Sequence, residues 1–264
     1  MPQKTRQLSA MEGVIFGRSS YLLSKSPMNR RKDNYIGINQ NIPFKVLDAG
    51  LYRLLMFGVV DRSELIKDMY EVTAGKNRAE KAIAFANQIL TRPERIIQYI
   101  KNNFSAQDYL NLHERERKAL ILALISITYP IFYHFLVSIG TAFTSQKEIG
   151  RSYINQKLAS QYGSNRTLDI AIDAIIPMAI GLDTIQRSRT AFYVALPPKI
   201  ILHPTVAEIY IYADIVCSGT KSVLRDEISN RPWYHFYQAQ AYRPGIGNLA
   251  NYSSGLIGGG YISI

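Results

Sequence analysis

From Ala119 to Phe143 (ALILALISITYPIFYHFLVSIGTAF) the chain carries no Asp, Glu, Lys or Arg. A run of that length must be hidden from water, and it is long enough to span a bilayer. Pro130 stands at its middle, where it would remove a helix hydrogen bond and clash with the preceding turn. Ser126, Thr128, His134, Ser138 and Thr141 interrupt the apolar surface as well. The stretch therefore reads as two core helices of ordinary length that meet near Tyr129-Pro130. A membrane-spanning or membrane-associated chain is the alternative.

The rest of the composition agrees with a packed core. Hydrophobic residues make up 47% of 264 and charged residues 19%, which excludes a disordered chain. Thirty-one Lys and Arg face 20 Asp and Glu, a net charge of +11. That excess suits a polyanionic partner such as nucleic acid, or an anionic membrane surface; plain solubility is the simpler reading. Cys217 is the only cysteine, so neither an intramolecular disulfide nor a multi-cysteine zinc site can form. Its surroundings, Ala213-Asp214-Ile215-Val216-Cys217, read as a buried apolar stretch. The opening MPQKTRQLSAMEG is basic but lacks the apolar core of a signal peptide, and a reducing cytoplasm is the expected compartment.

The chain divides by pattern into four stretches. Residues 1–43 form a basic arm, with Asn29-Arg30-Arg31-Lys32 as its densest run; Arg30, Arg31 and Lys32 are candidates for phosphate contact, or else belong to a solvated tail. Residues 44–144 read as a helical module. Val46, Leu47, Leu51, Leu54 and Leu55 repeat at helical spacing, as do Ile83, Ile89 and Leu90. Asp61-Arg62-Ser63-Glu64 offers a helix start, Pro93 suits a first turn, and Ser105 with Asp108 resembles a capping box.

Residues 145–200 are the most informative. A helix from near Ser145 carries Ile149, Tyr153, Ile154 and Leu158 on one face and ends at Gln161-Tyr162-Gly163, where glycine permits a left-handed cap. The polar turn Ser164-Asn165 opens a second helix through Thr167, Ile170, Ala174 and Ile175, stopped around Pro177–Gly181. Two strand-like runs, Leu182–Gln186 and Ala191–Leu196, then flank a basic tip, Arg187-Ser188-Arg189-Thr190. Helix, turn, helix and hairpin is the order of a winged helix-turn-helix, whose second helix normally enters the major groove. The segment's cations Lys147, Arg151, Lys157, Arg166, Arg187 and Arg189 are the candidate DNA contacts, with Arg166 and the tip arginines foremost and phosphate favoured over base edges. Asp169 and Asp173 on the second helix would repel phosphate. A winged helix used only as protein scaffold is the competing reading.

Residues 201–264 read as a helical and aromatic extension. Val206, Ile209, Tyr210 and Ala213 form one stripe, and Lys221 to Ile228 a second short helix. Trp233, Tyr234, Phe236, Tyr237 and Tyr242, near Arg231 and Arg243, could stack on bases, pack onto the body, or join a second subunit.

Nothing in the sequence carries catalysis. The four histidines, His113, His134, His203 and His235, make no i, i+4 pair, so no metal site is expected. Gly219-Thr220-Lys221-Ser222 has the end of a phosphate loop without its leading glycine, since residue 214 is Asp. Gly255 to Gly260 follows no strand and opens no helix, which rules out a dinucleotide fingerprint. Asp108 with Glu116-Arg117-Lys118 has the letters of a metal-dependent nuclease on what reads as helix rather than strands. No cofactor is expected.

Thr91-Arg92-Pro93-Glu94 leading a helix, the apolar pair around Tyr129-Pro130-Ile131-Phe132, and the segment from Ser145 to Leu196 together resemble the BrxA family of bacterial BREX phage-defence systems. The resemblance covers under half the chain. It implies a non-enzymatic, DNA-binding accessory of a defence system with two helical modules. The expectation is a mainly α protein in which a multi-helix module precedes a winged helix-turn-helix-like module with a small β-hairpin. Its expected function is binding double-stranded DNA; a structural or oligomerisation subunit of a larger assembly is the alternative.

Overall fold

The computed structural model describes residues 35–72, 75–240, 242, 249–254 and 259–264. It is mainly helical, with ten α-helices among the described residues. Helix boundaries follow local chemistry. α1 (Phe44–Phe57) stops at Gly58, which takes φ +78. α2 (Arg62–Val72) is preceded by Asp61, whose carboxylate accepts from the Ser63 N–H at 2.8 Å. α3 (Lys76–Thr91) and α4 (Glu94–Asn103) flank Pro93. The capping box at α5 (Ala106–Asn111) is complete: the Ser105 hydroxyl accepts from the Asp108 N–H at 3.1 Å, and the Asp108 carboxylate accepts from the Ser105 N–H at 3.0 Å. The reciprocal pair satisfies two otherwise orphaned donors.

α6 (Glu114–Thr128) and α7 (Pro130–Phe143) are the two halves of the uncharged stretch, bent by 117° at Tyr129. No single described helix is long and apolar enough to cross a membrane. Ala119 to Leu124 have no exposure at all, and Phe132, Phe135, Leu136 and Ile139 are equally enclosed. Residues before α1 also enter the core, through Ile36, Ile38 and Ile42.

Beyond α7 the order is β1 (Ile149–Gly150), α8 (Arg151–Tyr162), α9 (Arg166–Gly181), β2 (Ile185–Arg189) and β3 (Phe192–Ala195). These strands form one antiparallel sheet in the order β1-β3-β2. The helix expected from Ser145 begins instead at Arg151, because Ile149 and Gly150 are taken up by pairing with Tyr193 and Phe192.

The last third holds the centre of the protein. After β4 (Lys199–Ile200) comes α10 (Pro204–Ser218), in which every residue from Thr205 to Ile215 is buried. A helix apolar all round belongs in a core, and α10 packs along α6. The single stripe expected from its sequence is therefore a full circumference. Two polar side chains inside this helix are satisfied by the tail. Glu208 accepts from the Leu249 and Ala250 N–H groups at 3.1 and 3.0 Å and from the Tyr99 hydroxyl at 2.5 Å. Asp214 accepts from Arg231 at 2.5 and 3.1 Å and from the Tyr133 hydroxyl at 2.7 Å.

The short helix expected over Lys221 to Ile228 is absent. Ser222–Leu224 form β5, and a 3-10 turn covers Arg225–Asn230. Val223 lies opposite Ile262 of a distant strand, a pairing that local sequence cannot announce. A second 3-10 turn (Pro232–His235) leads to β6 (Tyr237–Gln238), parallel to β4; β7 (Asn251–Ser253) and β8 (Tyr261–Ser263) complete a sheet in the order β5-β8-β7. Trp233, Tyr234, Phe236 and Tyr237 are all buried. Gly140 of α7 lets this turn approach: a Cβ there would sit 2.3 Å from the Pro232 carbonyl oxygen.

Candidate nucleic-acid interface

α8 buries Ile154, Leu158 and Tyr162 at i, i+4, i+8 and ends at Gly163, whose φ of +77 costs glycine nothing. Asn165 then starts α9, its side-chain oxygen accepting from the Leu168 N–H at 3.0 Å. α9 buries Leu168, Ala171, Ile172, Ile175 and Ile176. Its outer face carries Arg166, Thr167, Asp169, Ile170, Asp173 and Pro177. Pro177 lies inside the helix without breaking it; its missing N–H falls on the solvent side, where water can take the freed carbonyl. Where α8 meets α7, the His134 Nδ1 is 2.6 Å from the Tyr162 hydroxyl, and burial holds this imidazole below its ordinary range.

The hairpin departs from the sequence reading in its register. β2 runs through to Arg189, and the turn is Thr190-Ala191, with Ala191 at φ +61. A bulge at Ser188 puts Arg187 opposite Tyr193 but Arg189 opposite Phe192. Directly paired residues share a face and neighbours alternate. Arg187 therefore belongs to the face of Ile149 and Tyr193, and Arg189 to the opposite face with Gly150 and Phe192. The two tip arginines cannot act side by side.

Arg189 is also occupied. Its guanidinium centre lies 3.7 Å from the Phe192 ring centroid, and its Nη2 and Nε reach Glu148 at 2.8 and 3.2 Å. The Ser188 hydroxyl donates to the same carboxylate at 2.5 Å. Arg189 first, then Ser188, hold the Glu148 carboxyl below its usual range. Arg151 is committed as well, paired with Asp173 and so bridging the start of α8 to the middle of α9. Lys157 lies over the Tyr153 ring at 5.6 Å. Lys147, Arg166 and Arg187 are exposed and make no ion pair among the described residues. Arg30, Arg31 and Lys32 lie outside the described residues.

The acidic face feared from the sequence is thus partly masked: Arg151 neutralises Asp173, and Asp169 accepts from the Asn155 amide at 3.3 Å. The clamp of Glu148, Ser188 and Arg189 left no sequence signal, since its partners are 40 and 41 residues apart. Trp233, Tyr234, Phe236 and Tyr237 are buried and offer no stacking surface, while Tyr242 is half-buried. Trp233 and Tyr237 have no exposure, and Arg231 is spent on Asp214; Arg243 lies outside the described residues. Comparison with family models, curated proteins and solved structures returns no match to this chain.

No group of three or more His, Cys, Asp or Glu that could hold a metal occurs among the described residues. Burial, with Asp214 nearby, holds the Cys217 thiol well above its ordinary range, the reverse of what activates a nucleophile.

Proposed function

We propose that this chain is a non-enzymatic accessory protein that binds double-stranded DNA through residues 145–200, acting as a winged helix-turn-helix. The observation carrying the reading is the sheet order β1-β3-β2 with α8 and α9 inserted between β1 and β2. In that arrangement the second helix is the one that enters the major groove, leading with its N-terminal residues. Arg166 and Thr167 are those residues here, and Lys147 and Arg187 are exposed cations to either side in the chain that make no ion pair among the described residues. Arg151 and Arg189 support the module rather than touch DNA. The likeness to the BrxA family adds a setting to this proposal, a phage-defence assembly in a bacterial cytoplasm.

The test is anisotropy of a labelled random duplex titrated across salt. Each phosphate contact contributes about 0.9 to the log–log salt slope, so Lys147→Ala, Arg166→Ala and Arg187→Ala together should flatten it by up to about 2.7. An unchanged slope and affinity removes this segment from DNA binding.

One observation favours a second reading. Ile170, 41% exposed, sits between Asp169 and Asp173 on the outer face of α9, a surface better suited to a protein partner than to phosphate. Under that reading the chain binds no duplex even at low salt, and Ile170→Glu abolishes partner capture instead.

A further inference from the structure

α3 carries a second basic surface. It buries Ala79, Ala82, Ile83, Ala86, Ile89 and Leu90. To solvent it turns Lys76, Arg78 and Lys81, with Arg92 at its C-cap, against the single acid Glu80. None of these four cations makes an ion pair among the described residues. By the i, i+3, i+4 rhythm Arg78, Lys81 and Arg92 fall on one flank of the helix, about 21 Å from first to last, with Phe85 and Gln88 between them meeting Tyr129.

No ion pair among the described residues rewards this arrangement. The first turn of α3 contains no acid, and Lys76 and Arg78 sit where the helix dipole disfavours cations. Other cations are matched within the chain, Arg53 to Asp68, Arg117 to Asp48 and Arg151 to Asp173. A row of like charges that begins where the dipole disfavours cations and has no ion-pair partner among the described residues is complementary to an external polyanion.

We infer that the flank of α3 bearing Arg78, Lys81 and Arg92 is a second contact for the phosphate backbone of the duplex, outside the winged segment. This rests on the DNA-binding reading and extends its footprint to the N-terminal helices. The contact is to phosphate alone, so it adds affinity and salt dependence without sequence preference.

The test uses the full chain on the same labelled random duplex between 50 and 200 mM salt. Arg78→Ala, Lys81→Ala and Arg92→Ala together should lower the salt slope by about 2.7 if all three contacts are lost, which at 0.1 M salt is about eightfold in affinity per contact. Alanine is the best helix former, and an unchanged circular dichroism spectrum verifies that α3 persists. A slope and affinity equal to the parent, while the Lys147, Arg166 and Arg187 variant weakens, overturns this inference and leaves the winged-segment reading standing. A parent that binds no duplex at 50 mM overturns both.

Discussion

The buried carboxylate of Asp214 should be the most sensitive polar position in the fold. Its side chain has no exposure and takes three hydrogen bonds, two from Arg231 and one from the Tyr133 hydroxyl. Asp214→Ala would leave Tyr133, only 5% exposed, with a buried donor and no acceptor, at a cost of about 1–3 kcal/mol. Breaking a buried ion pair by removing one partner costs about 3–5 kcal/mol. Arg231, at 26% side-chain exposure, can recover part of its solvation, so the total should fall near the low end, about 3 kcal/mol. For a chain of this size that is a loss of about 6–12 °C in melting temperature. Differential scanning calorimetry of Asp214→Ala beside Arg53→Ala is the assay. The Arg53–Asp68 pair is about one-fifth exposed on each side and should be worth about 1 kcal/mol or less. Equal losses for the two variants would refute the claim that the tail is held to α10 by a buried charge.

Three further outcomes follow from the same structure. Trp233→Ala should cost about 3–5 kcal/mol, since the ring is fully enclosed and stacks on Tyr210 at 4.7 Å; a urea midpoint near the parent's would mean the tail is not core. Asn165→Ala should cost about 1 kcal/mol through the lost cap on α9 and leave salt-dependent binding measurable, with hydrogen exchange quickening at Leu168 first. Acidification from pH 7 to pH 5 should lower the melting temperature. Burial depresses the imidazoles of His134, His203 and His235 below 6.5, so the unfolded chain binds more protons there and stability is lost as pH falls through the folded values. Asp48, which burial pushes above 3.8, works in the opposite sense, its penalty fading as the carboxyl protonates. His134→Gln should shrink the pH 5 to 7 difference; a melting temperature that rises on acidification would contradict the sign.

Much of this architecture was legible where the chemistry is local. Ser105 and Asp108 announce their own capping box, Pro130 divides the apolar run, and Gly163 with Asn165 separates α8 from α9. Long-range partners were not legible. β1 is a helix start by composition and a strand only because β3 lies beside it. The bulge at Ser188, which sends Arg187 and Arg189 to opposite faces, depends on pairing register rather than residue type. Most consequential was the role of the last third. The sequence of α10 showed only the stripe of Val206, Ile209, Tyr210 and Ala213, because nothing local reveals that Tyr99, Arg231 and two tail amides satisfy Glu208 and Asp214 and let the whole helix be buried. Of the three roles the sequence left open to the aromatic tail, base stacking, packing onto the body and subunit contact, the structure shows the second: Trp233, Tyr234, Phe236 and Tyr237 lie in the core of their own chain.

The most direct test of the winged-segment reading is amide hydrogen exchange of the full chain with and without a saturating DNA duplex at low salt. The account predicts slowed exchange concentrated in the first turns of α9, around Arg166 to Ile170, and in the β2–β3 hairpin, with α10 and the buried tail unchanged. Protection confined to other surfaces, with α9 and the hairpin exchanging as in the free protein, would contradict it.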